Sequence, residues 1–241
     1  MDYQKKNILV TGAYQGIGKS ICDYFGKEKA NLIITYHEHQ EETICLKEDL
    51  ERKYQISVSV FYLDLSDEES IKSLYNEVKK KYQKLDILIN NAAISLDSFI
   101  PDKTKKEFMK VLEINVVGTF LMMKYFDNII NNGYIFNISS TDGMDTGNIY
   151  SIDYNASKAS INNMTLTFSL YSHNKIISIC PNWVDTESTR CMDKNYLENE
   201  LKRVHQRKLI NPIEVPIMID KCIKNNIETG SVVIIEGVSN E

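Results

Sequence analysis

The chain is short of most of the features that would assign it to a specialised class. Its five cysteines, Cys22, Cys45, Cys180, Cys191 and Cys222, are odd in number, scattered and never in C-x-x-C spacing. That excludes a disulfide framework or a zinc ribbon and suits small buried thiols in a reducing compartment. No stretch reaches the roughly 18 apolar residues of a membrane helix. The first apolar run, from Asn7 to Thr11, is too short for a signal-peptide core and no small-residue cleavage site follows it, so the expected location is the cytoplasm. A net charge of -5, with no basic patch interleaved with aromatics, gives no reason to expect nucleic acid or an anionic membrane as partner. Linkers, repeats and low-complexity segments are also missing, so residues 1–241 read as one domain.

What is present is alternation. With 43% apolar residues the chain can bury a sizeable core. Short runs of Ile, Val and Leu mark strands at Asn7 to Thr11, Leu32 to Tyr36, Ser57 to Leu63, Leu85 to Asn90, Tyr134 to Ser139, Ile176 to Cys180 and Val232 to Ile235. Most are continuous, as in strands buried on both faces of a parallel sheet. Helix-length amphipathic segments lie between them. From Ser66 to Tyr82, the residues Ile71, Leu74, Tyr75 and Val78 share one face, and Ser66 with Glu69 offers a capping box. Pro212 suits the first position of a later helix. Strand and helix alternating about seven times predict an α/β fold, a doubly wound Rossmann sheet of about seven strands.

In such a sheet, ligands bind beyond the carboxyl ends of the strands near the topological switch point. The first strand runs into Thr11-Gly12-Ala13-Tyr14-Gln15-Gly16-Ile17-Gly18, with a helix expected from about Lys19. Glycines here permit a tight turn and close approach to a pyrophosphate, which the free N–H groups of the helix start would hold. A plain glycine-rich turn is the blander alternative. Four more pieces follow in order: Asp64 in Leu63-Asp64-Leu65, Asn90-Asn91-Ala92-Ala93, Tyr154-Asn155-Ala156-Ser157-Lys158, and Pro181-Asn182-Trp183-Val184-Asp185-Thr186.

Together these resemble the short-chain dehydrogenase/reductase family, in its compact 3-oxoacyl-reductase-like form, from about residue 7 to about residue 237. The resemblance implies a cofactor site made of Gly12, Tyr14, Gln15, Gly16, Ile17, Gly18, Tyr36, His37, Asp64, Leu65, Asn91, Ala92, Tyr154, Lys158, Pro181, Val184 and Thr186. Asp64 would hold the adenine ring, and Thr186 the nicotinamide carboxamide. Tyr36 stands where an acidic residue would grip the ribose of NAD, and Gln15 where NADP enzymes often carry a base. His37 would accept the extra phosphate in part, which tips the expectation towards NADP(H) over NAD(H). His37 and His39 read as loop residues rather than metal ligands, since no third ligand lies near, and no metal is expected.

Carbonyl reduction needs a proton for the developing alkoxide, and a tyrosine can give it if a nearby positive charge draws its pKa down. A lysine four residues on along a helix shares its face. Tyr75/Lys79, Tyr154/Lys158 and Tyr171/Lys175 all have that spacing. Tyr75 belongs to an apolar stripe, and Tyr171 comes late in its helix. Tyr154 begins a helix just after the strand that ends in Ser139-Ser140, and Tyr154 with Lys158 matches the family's catalytic pair. By resemblance Ser140 would bond the substrate oxygen, and Asn115 would bind a water for proton relay. Ser139 and Thr141 rival Ser140, because Ser140 precedes Tyr154 by one residue more than is common, an excess placed in the loop from Thr141 to Asp153.

The sequence departs from the pattern at Ala93 and Asn182, each in place of a glycine, and at Val238, where a second glycine often follows Gly237. Asn182 is expected to tolerate a positive φ there. The segment from Glu187 to about Leu209 is the expected substrate lid. Arg190, Met192 and Tyr196 face the pocket in that reading, Arg190 poised for a carboxylate; a charged surface helix is the alternative. The expected activity is hydride transfer between NAD(P) and a small carbonyl or alcohol, in a homodimer or homotetramer built through helix pairing. A catalytically silent dinucleotide-binding sensor is the competing function.

Overall fold

The computed structural model describes residues 2–237; Val238 lies outside them. The strands are β1 (Asn7–Val10), β2 (Asn31–Tyr36), β3 (Val58–Tyr62), β4 (Leu85–Asn90), β5 (Ile130–Ile138), β6 (Lys175–Pro181) and β7 (Val232–Ile235). They form a single parallel sheet in the order β3-β2-β1-β4-β5-β6-β7. The chain winds outward from β1 to β3, then returns to the other side of β1 at β4. The switch point therefore falls between β1 and β4, where two successive loops part and leave a crevice.

Both faces of the sheet are covered. On one side α1 (Gly16–Lys27), α2 (Gln40–Tyr54) and α9 (Glu214–Lys224) pack Ile21, Phe25, Leu50 and Ile219 onto Ile8, Val10, Leu32 and Ile34. On the other, α3 (Glu68–Tyr82) and α5 (Thr119–Phe126) bring Ile71, Leu74, Val78 and Phe126 against Leu9, Ile33, Leu88 and Ile135. α4 (Lys105–Leu112) and α6 (Ile152–Ser169) lie on this second side, and α7 (Glu187–Arg190) and α8 (Lys194–Arg203) follow β6. Consecutive strand residues alternate between the two cores, which is why continuous apolar runs serve a sheet covered on both faces.

Four expectations are corrected at element ends. α3 begins at Glu68 and is capped by Asp67, whose carboxylate accepts from the Glu69 N–H, so the Ser66/Glu69 capping box does not form. The Ser66 N–H and hydroxyl both donate to Asp64 instead. Pro212 lies in the turn before α9, two residues ahead of its first residue. α1 begins at Gly16 rather than Lys19. β5 starts four residues before Tyr134, at Ile130, because Asn131-Asn132-Gly133, turn-like in sequence, is carried inside the strand. Asn132 takes φ 52, and the β4–β5 register shifts there.

Between α4 and α5 the helix widens into a π-helical segment, Glu113–Gly118. Such insertions are uncommon and tend to occur at functional sites.

Candidate active site

The crevice beside the switch point is a cleft of about 780 Å³. It runs from the β1–α1 turn across the carboxyl ends of β4 and β5 to the loop after β6.

At one end the glycine turn sets the geometry. Gly12 and Gly16 have φ of +64 and +52, and a Cβ on Gly18 would lie 2.2 Å from the Gly12 carbonyl oxygen. Side chains would fill this turn, so its backbone is bare and the N-terminus of α1 opens into the cleft. Asn91 locks the turn from β4, donating to the carbonyls of Thr11 (3.0 Å) and Gly12 (2.9 Å). The Thr11 hydroxyl accepts in return from the N–H groups of Asn91 and Ala92. A cradle of this kind, bare backbone at a helix start, fits a dinucleotide pyrophosphate. Glu187, expected only as the start of the lid segment, reaches it: Oε2 accepts from the Gly16 N–H at 3.1 Å.

Past β2, the His37 ring stands 3.6 Å from the Asp64 carboxylate. Tyr14 stacks on His39, with ring centroids 4.3 Å apart. Burial would raise the Asp64 pKa, but the two Ser66 hydrogen bonds and His37 hold it below the usual carboxylate value. All seventeen residues expected at the cofactor site line this one cleft. Asn182 holds its loop without a positive φ, its side-chain oxygen accepting from the Trp183 N–H.

At the other end lie Ser140, Tyr154 and Lys158. Tyr154 is the third residue of α6, so Lys158 falls one turn on, its ammonium nitrogen 5.2 Å from the Tyr154 ring centre. Ser140 and Tyr154 both line the cleft, and the serine acts on the phenol to lower its pKa. Ser139, one residue earlier and on the opposite pleat, donates instead to the Lys158 carbonyl. The geometry favours Ser140 as the serine facing Tyr154. The longer Ser140–Tyr154 interval is taken up by a 3₁₀ turn, Thr141–Gly143, and the loop after it. That turn sits on α6 so closely that a Cβ on Gly143 would lie 2.5 Å from the Lys158 carbonyl carbon. Of the other Tyr/Lys pairs, Tyr75/Lys79 is an exposed contact on α3, and Tyr171 lies beyond the end of α6 and is 76% exposed.

The electrostatics differ from the simple expectation. Lys158 is 3% exposed, and its ammonium donates to the Ile138 carbonyl at 2.8 Å. Burial pulls its pKa down to about 8. The Tyr154 phenol is pushed well above its ordinary value, first by burial and then by the Asp142 carboxylate; the Ser140 side chain opposes this. Desolvation and the Asp142 carboxylate set the direction of the shift.

Asn115 does not line the cleft. Fully buried in the π-helical segment, it bonds both ways with the Ile94 backbone, at 2.9 and 2.8 Å, and donates to the Ser157 hydroxyl. Its side chain ties the loop after β4 to α6. A buried pair reinforces that tie: the Lys103 ammonium lies 2.9 Å from Asp153, whose other oxygen accepts from the Tyr154 N–H. On the segment expected to form a lid, Met192 and Tyr196 line the cleft. Arg190 does not; its guanidinium is clamped on Asp185 by two hydrogen bonds, at 2.7 and 3.1 Å, so it is not a carboxylate receptor.

Comparison with known proteins agrees with this picture. The family model for short chain dehydrogenases matches residues 6–197. The chain is 31% identical over 223 residues to glucose 1-dehydrogenase 2 of Bacillus subtilis, covering 89% of this chain and 86% of that one. It is 29% identical over 248 residues to the 3-oxoacyl-(acyl-carrier-protein) reductase FabG of Thermotoga maritima, covering 98% of each. A short chain dehydrogenase of Burkholderia cenocepacia, solved in complex with NADP, superposes with a TM-score of 0.90 over 98% of both chains at 20% identity.

Proposed function

Because the chain belongs to the short-chain dehydrogenase family, an oxidoreductase family, we propose that it reduces a small carbonyl compound with NADP(H), Tyr154 giving the proton. The observation that carries this reading is the convergence of Ser140, Tyr154 and Lys158 on the same cleft as the bare glycine turn. The turn, Asn91, Asp64, His37 and the Pro181–Thr186 loop are the residues that would hold the dinucleotide. When bound, it supplies the hydride.

The chain's own groups do the rest. The Ser140 hydroxyl polarises the substrate oxygen, and the Tyr154 phenol donates its proton to that oxygen as negative charge develops there. Lys158, cationic below about pH 8, lies behind Tyr154 and favours the phenolate left after transfer. A phenol held in its acid form suits reduction at neutral pH, whereas alcohol oxidation calls for the base form and gains from alkaline pH. Asn115 and the Lys103–Asp153 pair position Tyr154 from behind.

His37, beside the strand end that carries Tyr36 in place of an acidic residue, supports NADP(H) over NAD(H). No helix among the described residues is long and apolar enough to cross a membrane. Met109, Val117, Phe120 and Leu166, all at least 41% exposed on α4, the π-helical segment, α5 and α6, give a homodimer or tetramer its apolar contact. Tyr154→Phe tests the mechanism. Turnover of a ketone and aldehyde panel should fall by more than a hundredfold while NADPH affinity stays within a few-fold; retained turnover would overturn it.

A further inference from the structure

The half of the cleft beyond Tyr154 is lined by Ser95, Asp97, Asp142, Asn148, Ser151 and Tyr196. Two of these are carboxylates and none is a cation. The lysines that line the cleft are Lys158 itself and Lys110, which stands beside Ser66 and Ile114 on the far side of the crevice. The nearby arginines are engaged elsewhere, Arg190 by Asp185 and Arg203 by Glu200 at 2.6 Å.

We propose that Asp142, aided by Asp97, makes this site selective for a carbonyl compound that bears a cationic group, such as an ammonium near the reacting carbon, and closes it to carboxylates. The inference rests on the reading that Ser140 and Tyr154 mark where the carbonyl binds.

Three observations carry it. Asp142 is partly buried one turn from the reacting groups, its backbone N–H donating to Ser140 Oγ at 3.1 Å. One of its oxygens accepts from the Thr146 hydroxyl at 2.9 Å, while Asp97 and Glu200 add negative charge and Arg203 opposes them. Burial raises its pKa, so its charge is undercompensated by the protein. Second, the hydroxyls of Ser95 and Ser151 both donate to Oδ1 of Asp97, which anchors that carboxylate at the entrance of α6. Third, Asp142 and then Asp97 bear on Tyr154, raising its pKa. A cation bound there satisfies both carboxylates and relieves the strain on the phenol in one contact. An anion would add a third negative charge beside these two, and unpaired like charges of this kind are how sites reject competitors.

Three methyl ketones of one size separate the chemistries: aminoacetone, hydroxyacetone and pyruvate carry an ammonium, a hydroxyl and a carboxylate on the same skeleton. Their binding is measured by calorimetry on the whole protein, free and saturated with NADP⁺, which cannot reduce them. Aminoacetone should bind at least tenfold more tightly than pyruvate, with hydroxyacetone between. Asp142→Asn, and independently the surface-tolerant Asp97→Asn, should each cut that ratio severalfold. Equal or tighter binding of pyruvate, no measurable binding of aminoacetone, or a ratio unchanged in both variants would overturn the inference. Turnover with NADPH is read separately. Ordered binding without reduction would fault the proposed activity, and reduction without the charge order would fault only the selectivity.

Discussion

At the scale of single residues, the site holds two charges under tension. Lys158 titrates near 8 in the folded protein because it is buried, against about 10.4 for a free lysine. Between those values the unfolded chain binds the extra proton, so the group's contribution to stability rises as pH climbs through that window and is least favourable below it. Lys158→Met should therefore abolish activity yet raise the unfolding free energy measured in urea at pH 7, by at most about 3 kcal/mol, with the gap closing by pH 10. A lower unfolding free energy at pH 7 would contradict the assignment. Glu187 is the second case. Its carboxylate accepts from the N–H at the start of α1, where a pyrophosphate is expected to dock. Glu187→Gln should tighten NADPH binding roughly three- to tenfold in a fluorescence titration, whereas weaker binding would show that the carboxylate aids the site. Tyr154 and Lys158 were legible in sequence because their spacing and place after a serine-ended strand are local. Asp142, the role of Asn115 and the reach of Glu187 were not, since each depends on a partner 12 to 171 positions away that only the folded sheet supplies.

At the scale of elements, all seven strands were visible as apolar runs, since a strand buried on both faces is filled mostly by apolar side chains. Ends were less legible. Ser66 and Asp67 are both good N-caps, and Asp64, by drawing both Ser66 donors, leaves the cap to Asp67. Asp67→Ala should cost about 1 kcal/mol in chemical denaturation. Ser66→Ala should leave α3 capped and show its effect in Asp64 and adenine-side binding; the reverse pattern would return the cap to Ser66. The π-helical turn at Glu113–Gly118 had no sequence signal beyond Asn115 itself, because a side chain that bonds a neighbouring loop competes with regular helix geometry only once that loop is present.

At the scale of the whole molecule, the winding places the ends of β1, β4, β5 and β6 beside one another, and that alone brings residues from Gly12 to Tyr196 into one cleft. Alternation of strand and helix foretold the sheet, and the motifs picked out residues that meet at the glycine-turn end of the cleft. The half beyond Tyr154 rests on loops whose charge pattern has meaning only in three dimensions. The central claim is that this cleft holds a nicotinamide dinucleotide, NADP(H) in preference to NAD(H), against Tyr154. A fluorescence titration of the purified protein with NADPH and NADH in parallel tests it most directly. The account predicts saturable binding with NADPH the tighter of the two. Tighter binding of NADH would show that His37 does not read a phosphate, and binding of neither would contradict the account at its root.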